Sequence, residues 1–166
     1  VAPTTSPSMD IQVSSNFERL LFELYDRDSG ATAGLMAELK EAGGFALSQG
    51  VLDRLRAGFA SGRAGAEDVA AEIARTRAET GYVLDPHTAC GVAAARANRG
   101  DPATPMVTLA TAHPAKFPDA VEAACGLRPA LPPRLADLYD RDERVTAAPD
   151  DLAAVQAIIR ERARAT

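Results

Sequence analysis

Three side chains able to hold an anion or a heterocyclic nitrogen stand within six residues of one another: Thr111, His113 and Lys116. They follow the apolar run Met106-Val107-Thr108-Leu109-Ala110 and precede Pro118 and Asp119, which read as the start of a helix. Ligands of open α/β sheets gather outside the carboxyl ends of the strands. A helix N-terminus nearby adds a dipole that favours negative charge. A hydroxyl, an imidazole and an ammonium at that place suit a phosphate, a carboxylate or a ring nitrogen. The plainer reading is a corner, with the His113 ring satisfied by backbone carbonyls and Lys116 solvated or ion-paired. A lysine buried beside a strand end can also form a Schiff base.

A second candidate is Ser14-Ser15-Asn16, ahead of an apolar helical face formed by Phe17, Leu20, Leu21 and Leu24. Helix N-termini bind phosphates. The alternative there is simple capping, and Ser15 and Glu18 have the spacing of a capping box. His87, in the first turn after Pro86, reads as an interior, hydrogen-bonded histidine. The cluster Asp140-Arg141-Asp142-Glu143-Arg144 reads as a solvated loop. Cys90 and Cys125 lie 35 residues apart without a C-x-x-C pair, so they read as buried free thiols, and with two separated histidines they make no zinc set. No G-x-G-x-x-G, phosphate loop, G-x-S-x-G or H-E-x-x-H motif is present. A nucleophile, base and acid cannot be assembled from the spacing.

The elements that must position these residues are mostly helices. The first is expected to end at the turn Asp28-Ser29-Gly30, and a second to run from about Thr32 to Ala42 before Gly43-Gly44. Ser48 caps a third, with Val51, Leu52, Leu55 and Phe59 as its stripe. A turn over Ser61 to Gly65 leads to a helix over Glu67 to Glu79 with Val69 and Ile73 inward. Asp85 as N-cap and Pro86 at the first helical position launch another to about Ala97. A helix from Pro118 ends near Gly126, a short one reaches Tyr139, and Pro149 opens a last one carrying Leu152, Val155, Ile158 and Ile159.

One strand is expected, at about 106–110, with Met9 to Val13 a weaker candidate for another. The fold class is therefore α/β and predominantly helical, with an incomplete sheet. A strand between helices belongs to a parallel sheet that needs several such strands. The chain of 166 residues is long enough for one domain, yet its strand count is too low for one. Together with Val1 at the first position, this leads to the expectation of a part of a longer protein.

Composition narrows the function classes. Hydrophobic residues make up 46% and charged residues 25%, the range of folded globular chains, and no apolar run approaches a membrane helix. A net charge of −5 gives no general attraction to nucleic acid or anionic lipid. About one residue in five is alanine, which favours helix and close packing. Lys40 and Lys116 are the only lysines among 18 basic residues.

Four features of the sequence resemble the C-terminal part of threonine synthase, in the bacterial and fungal form with the longer C-terminal region. They are the segments Ser8 to Leu20, Leu84 to Ala89 and Thr108 to Phe117, and the ordered spacing between them. The run Thr-Ala-His-Pro-Ala-Lys-Phe is the most specific of these, and Cys90, where a residue such as Val is expected, is a small departure. The resemblance implies a pyridoxal 5'-phosphate enzyme of fold type II, related in fold to tryptophan synthase β. Its reaction converts O-phospho-L-homoserine and water to L-threonine and phosphate.

By the same resemblance the aldimine lysine, the Ser/Asn loop for the substrate carboxylate and the Gly-rich phosphate loop lie upstream. No catalytic residue is then expected in this chain, and the Schiff-base reading of Lys116 falls. Thr111 takes the place of the hydroxyl near the pyridine nitrogen. His113 and Lys116 take supporting or anion-facing places, and Ser14, Ser15 and Asn16 lie on the substrate and phosphate side. The implied layout is a C-terminal fragment over 1–166, with an extended lead-in at 1–13 and a helical region at 14–100. A strand, a cofactor-side turn and a helix follow at 101–126, and C-terminal helices at 127–166. The implied partners are the N-terminal half of the same protein and the small-molecule substrate, in the cytoplasm, without nucleic acid or membrane. The alternative is a catalytically inert helical interaction module derived from that family.

Overall fold

The computed structural model describes residues 2–163. They divide into two units, one ending at Ala130 and one beginning at Leu131.

The first unit holds six α-helices. Helix α1 (Ser15–Leu24) buries Leu21 completely and packs on α2 (Ser29–Ala42) and α3 (Gln49–Gly58). The turn between α1 and α2 is made by Asp26 and Arg27, both left-handed at φ 55° and 65°. Arg54 of α3 holds this turn by pairing with the Asp26 carboxylate at 3.1 Å and the Leu24 carbonyl. The residues expected to end α1 instead begin α2: Asp28 caps it, its Oδ1 accepting from the amides of Gly30 at 2.8 Å and Ala31 at 3.0 Å. An aspartate two residues before a free amide is a better cap than a stop. The expected capping box at Ser15 and Glu18 does not form. Ser14 is the cap residue, extended and without a side-chain bond, so Glu18 falls one position too far along to reach back.

Helix α4 (Ala66–Thr80) packs on α5 (Pro86–Asn98) and α6 (Pro118–Cys125). Val69 and Ile73 point inward as expected and meet Leu84, Ala89 and Val121, with Cys90 and Cys125 half-buried beside them as free thiols. Gly81 and Gly126 close α4 and α6 in the left-handed conformation that glycine adopts without a Cβ penalty.

One charge network crosses from α4 to α5. Buried Glu72 accepts from the Thr76 hydroxyl at 2.8 Å and from Arg96 Nε at 2.9 Å. Arg96 also reaches Glu79 at 2.7 Å, which Arg75 meets at 2.7 Å from its other side. The hydrogen bonds from Arg75 and then Arg96 hold the Glu79 carboxyl below its ordinary value. A carboxylate depressed in the folded state stabilises the fold above its unfolded pKa, and that contribution fades as pH falls through the folded value. The melting temperature of Glu79→Gln should therefore lie below that of the native protein at neutral pH. The gap should close as the solution is acidified below the glutamate range. A gap independent of pH would contradict this origin.

The run at 106–110 forms no strand. No ladder joins it among the described residues, and Val107 and Leu109 are largely exposed. A strand is completed by hydrogen bonds to a neighbour, which this segment lacks. The candidate at Met9 to Val13 also makes no strand, and Pro7–Met9 is a 3-10 turn. The predominantly helical expectation holds.

The second unit contains the 3-10 turns Pro133–Leu135 and Leu138–Asp140, where a short helix to Tyr139 was expected, and α7 (Leu152–Arg162). Pro133 stands at the start of the first of these turns, where its missing amide costs nothing. Helix α7 is capped by Asp151, whose Oδ1 accepts from the Ala154 amide at 2.8 Å, so Pro149 lies outside it. No helix among the described residues is long and apolar enough to cross a membrane.

Candidate functional site

The candidate residues at 111–116 are held by the start of α5. Asp85 is at the N-cap and Pro86 at the first helical position, where a missing amide costs nothing. The Asp85 carboxylate is almost completely buried. Its Oδ1 accepts from the amides of His87 at 2.9 Å and Thr88 at 3.3 Å and from His87 Nδ1 at 3.2 Å. Its Oδ2 accepts from the Thr88 hydroxyl. The Thr88 oxygen in turn accepts from the Thr111 amide at 3.0 Å and lies 3.4 Å from the Thr111 hydroxyl.

His87 is the interior histidine that its position suggests. It is buried, its Nε2 accepts from the Ser8 amide at 3.1 Å, and its ring stacks at a tilt on Phe117 with centroids 4.6 Å apart. With Nδ1 donating to Asp85, both ring nitrogens are satisfied by the protein. Ser6 completes the arrangement by donating to the Pro86 carbonyl at 3.0 Å. Three stretches of chain (Ser6 to Ser8, Asp85 to Thr88, Thr111 to Phe117) are thereby tied into one knot.

Thr111 sits at the outer edge of this knot, exposed, and among the described residues its hydroxyl meets only Thr88. His113 is exposed and caps the 3-10 turn Pro114–Lys116, its Nδ1 accepting from the Ala115 amide at 3.1 Å. Its ring therefore serves a backbone amide rather than backbone carbonyls. In the neutral ring the proton is left on Nε2, a donor facing outward. Lys116 is exposed, with Nζ 5.9 Å above the Phe117 ring and no ion pair among the described residues.

Ser14, Ser15 and Asn16 lie apart from this group. Ser15 lines a cavity of about 430 Å³ with Glu18, Arg19, Phe22, Ser29 and Thr32, and Thr111 is not among its walls. Asn16 is occupied by Arg19. The cavity presents one acid and one base, which is no concentrated anion site. Among the described residues no group of three or more His, Cys, Asp or Glu is arranged to hold a metal.

Thr88, which accepts from the Thr111 amide, and Asp85, which accepts from Thr88, are absent from any candidate set built on exposed chemistry. Asp85-Pro86 signals a helix start, but the link from position 88 to position 111 is made only in three dimensions.

The sequence matches the family model "Threonine synthase, C-terminal" over residues 88–159. It is 49% identical to the threonine synthase of Pseudomonas aeruginosa over 158 residues, which covers 95% of this chain and 34% of that protein. Among solved structures, PLP-bound threonine synthase from Brucella melitensis is similar at a TM-score of 0.84 and 52% identity. That match covers 99% of this chain and 35% of the other. Yeast threonine synthase is similar at a TM-score of 0.78 and 32% identity, covering 97% of this chain and 36% of the other. The chain thus spans about a third of the length of the relatives it matches.

Proposed function

Since the chain belongs to the threonine synthase family, matching its C-terminal part, we propose that it forms one wall of a pyridoxal 5'-phosphate site. The protein it belongs to then converts O-phospho-L-homoserine and water to L-threonine and phosphate, as a cytoplasmic lyase. The observation that carries this reading is Thr111: exposed, its amide held by the Thr88 oxygen, and its hydroxyl in contact with no other side chain among the described residues.

The donor set fits the cofactor. A pyridine nitrogen is a single neutral acceptor, and Thr111 offers a single neutral donor with, among the described residues, no carboxylate hydrogen-bonded to its hydroxyl. A carboxylate at that place would favour the protonated ring, whereas a hydroxyl leaves it unprotonated. When bound, the cofactor supplies an electron sink for carbanion chemistry.

The chain's own residues would orient that ring and face its surroundings. Thr111 would donate a hydrogen bond to the ring nitrogen and so help hold the ring in place. His113 Nε2 and Lys116 Nζ present a donor and a positive charge on the same stretch, suited to supporting an anionic group. Ser14, Ser15 and Asn16 stand toward the substrate and phosphate side. The lysine that carries the cofactor is placed upstream, together with the Gly-rich phosphate loop. Residues 101–126 are the cofactor-side segment in this reading, and 14–100 the helical region behind it.

The chain alone is therefore expected to be inactive. Release of inorganic phosphate from O-phospho-L-homoserine should require the N-terminal half. Turnover by residues 1–166 alone would refute the division of the site, and no turnover by the joined protein would refute the activity.

A further inference from the structure

We infer that Thr88, with its hydroxyl oriented by Asp85, is a positioning residue that aims the Thr111 hydroxyl by gripping the Thr111 main chain. This rests on the placement of Thr111 at the pyridine nitrogen proposed above.

The argument is one of donor counting. The Thr88 hydroxyl has one proton and two lone pairs. A carboxylate is an acceptor only, so the Thr88 proton goes to Asp85 Oδ2. The Thr111 amide can only donate, and at 3.0 Å it takes a lone pair of Thr88. Thr88 therefore has no proton to give Thr111. The two hydroxyl oxygens stand 3.4 Å apart, beyond the usual range for O–H···O bonds. The Thr111 hydroxyl is thus left with only a long contact to the remaining lone pair of Thr88, and its proton is free to turn to a closer acceptor while the backbone is held.

Burial makes the grip rigid. Asp85 is 1% exposed, Thr88 4% and His87 5%. The Asp85 carboxylate cannot turn without releasing two backbone amides and the His87 ring. The rotor of Thr88 is consequently fixed, and the register of residue 111 against α5 with it. Gly91, one turn further along α5, lets the same segment lie close: a Cβ there would stand 3.1 Å from Thr108 Cγ2.

The test uses the full-length enzyme loaded with its cofactor. Thr88→Val is nearly isosteric and removes the acceptor for the Thr111 amide, whereas Thr88→Ser keeps it. Thr88→Val should lower kcat about tenfold, with KM for O-phospho-L-homoserine held within roughly twofold. It should also shift the absorbance of the bound cofactor in the same direction as Thr111→Val. Thr88→Ser should restore both kcat and spectrum. A native spectrum and kcat in Thr88→Val, with Thr111→Val altered, would overturn this inference alone. If Thr111→Val is itself silent, the placement of Thr111 falls instead. Amide hydrogen exchange in the unmutated protein provides a readout independent of whether Thr88→Val folds. The Thr111 amide should be protected to the level of the first turn of α5, and exchange at the rate of an open loop would overturn the grip.

Discussion

In the full-length protein, Thr111→Val is expected to lower kcat by about ten- to a hundredfold, the effect of losing one hydrogen bond at about 1–3 kcal/mol. Valine matches threonine in shape, and the backbone amide that binds Thr88 at 3.0 Å is untouched, so the segment should keep its place. What disappears is the single outward donor. Affinity for pyridoxal 5'-phosphate should change much less than turnover, because the phosphate and lysine attachments lie upstream in this reading. Steady-state kinetics beside a spectrophotometric cofactor titration separate the two quantities. Equal activity in the variant would remove Thr111 from the site.

The largest stability effect is expected at Asp85. Alanine there removes the N-cap of α5, worth about 1 kcal/mol, and strands buried donors at about 1–3 kcal/mol each. The His87 ring and the Thr88 hydroxyl both lose their carboxylate partner, and neither can turn to water from its buried position. A loss of about 3 kcal/mol or more is the expected result in urea denaturation. Asp85→Asn keeps an oxygen for the two backbone amides and should lose clearly less. Indistinguishable midpoints for Asp85→Ala and the native protein would show that the knot does not hold the fold together.

Much of this was legible in the residues because it rests on local rules. Asp85-Pro86 announces a helix start, Gly43 and Gly126 end helices, and Val69 and Ile73 have the spacing of an inward face. Local signals fail where two of them compete. Asp28 reads equally as a turn residue and as a cap, and the left-handed pair Asp26 and Arg27 decides the matter in favour of a cap. Ser14 and Ser15 compete for one N-cap, and the position of Glu18 does not settle which wins. The strand at 106–110 is a different failure. Apolar β-branched residues mark a segment fit for a sheet, but a ladder is a property of two segments, and no second one pairs with it among the described residues. For the site, exposed hydroxyl, imidazole and ammonium groups stand out by residue type, whereas Thr88 acts through a contact 23 residues away in sequence.

One measurement tests most directly the proposed placement of the cofactor lysine upstream of this chain. The loaded full-length protein is treated with borohydride, digested, and searched for the peptide that carries the reduced cofactor. The label should fall on a lysine upstream of this chain, with Lys40 and Lys116 unmodified. Stoichiometric label on Lys116 or Lys40 would contradict the claim that this chain forms only one wall of the active site.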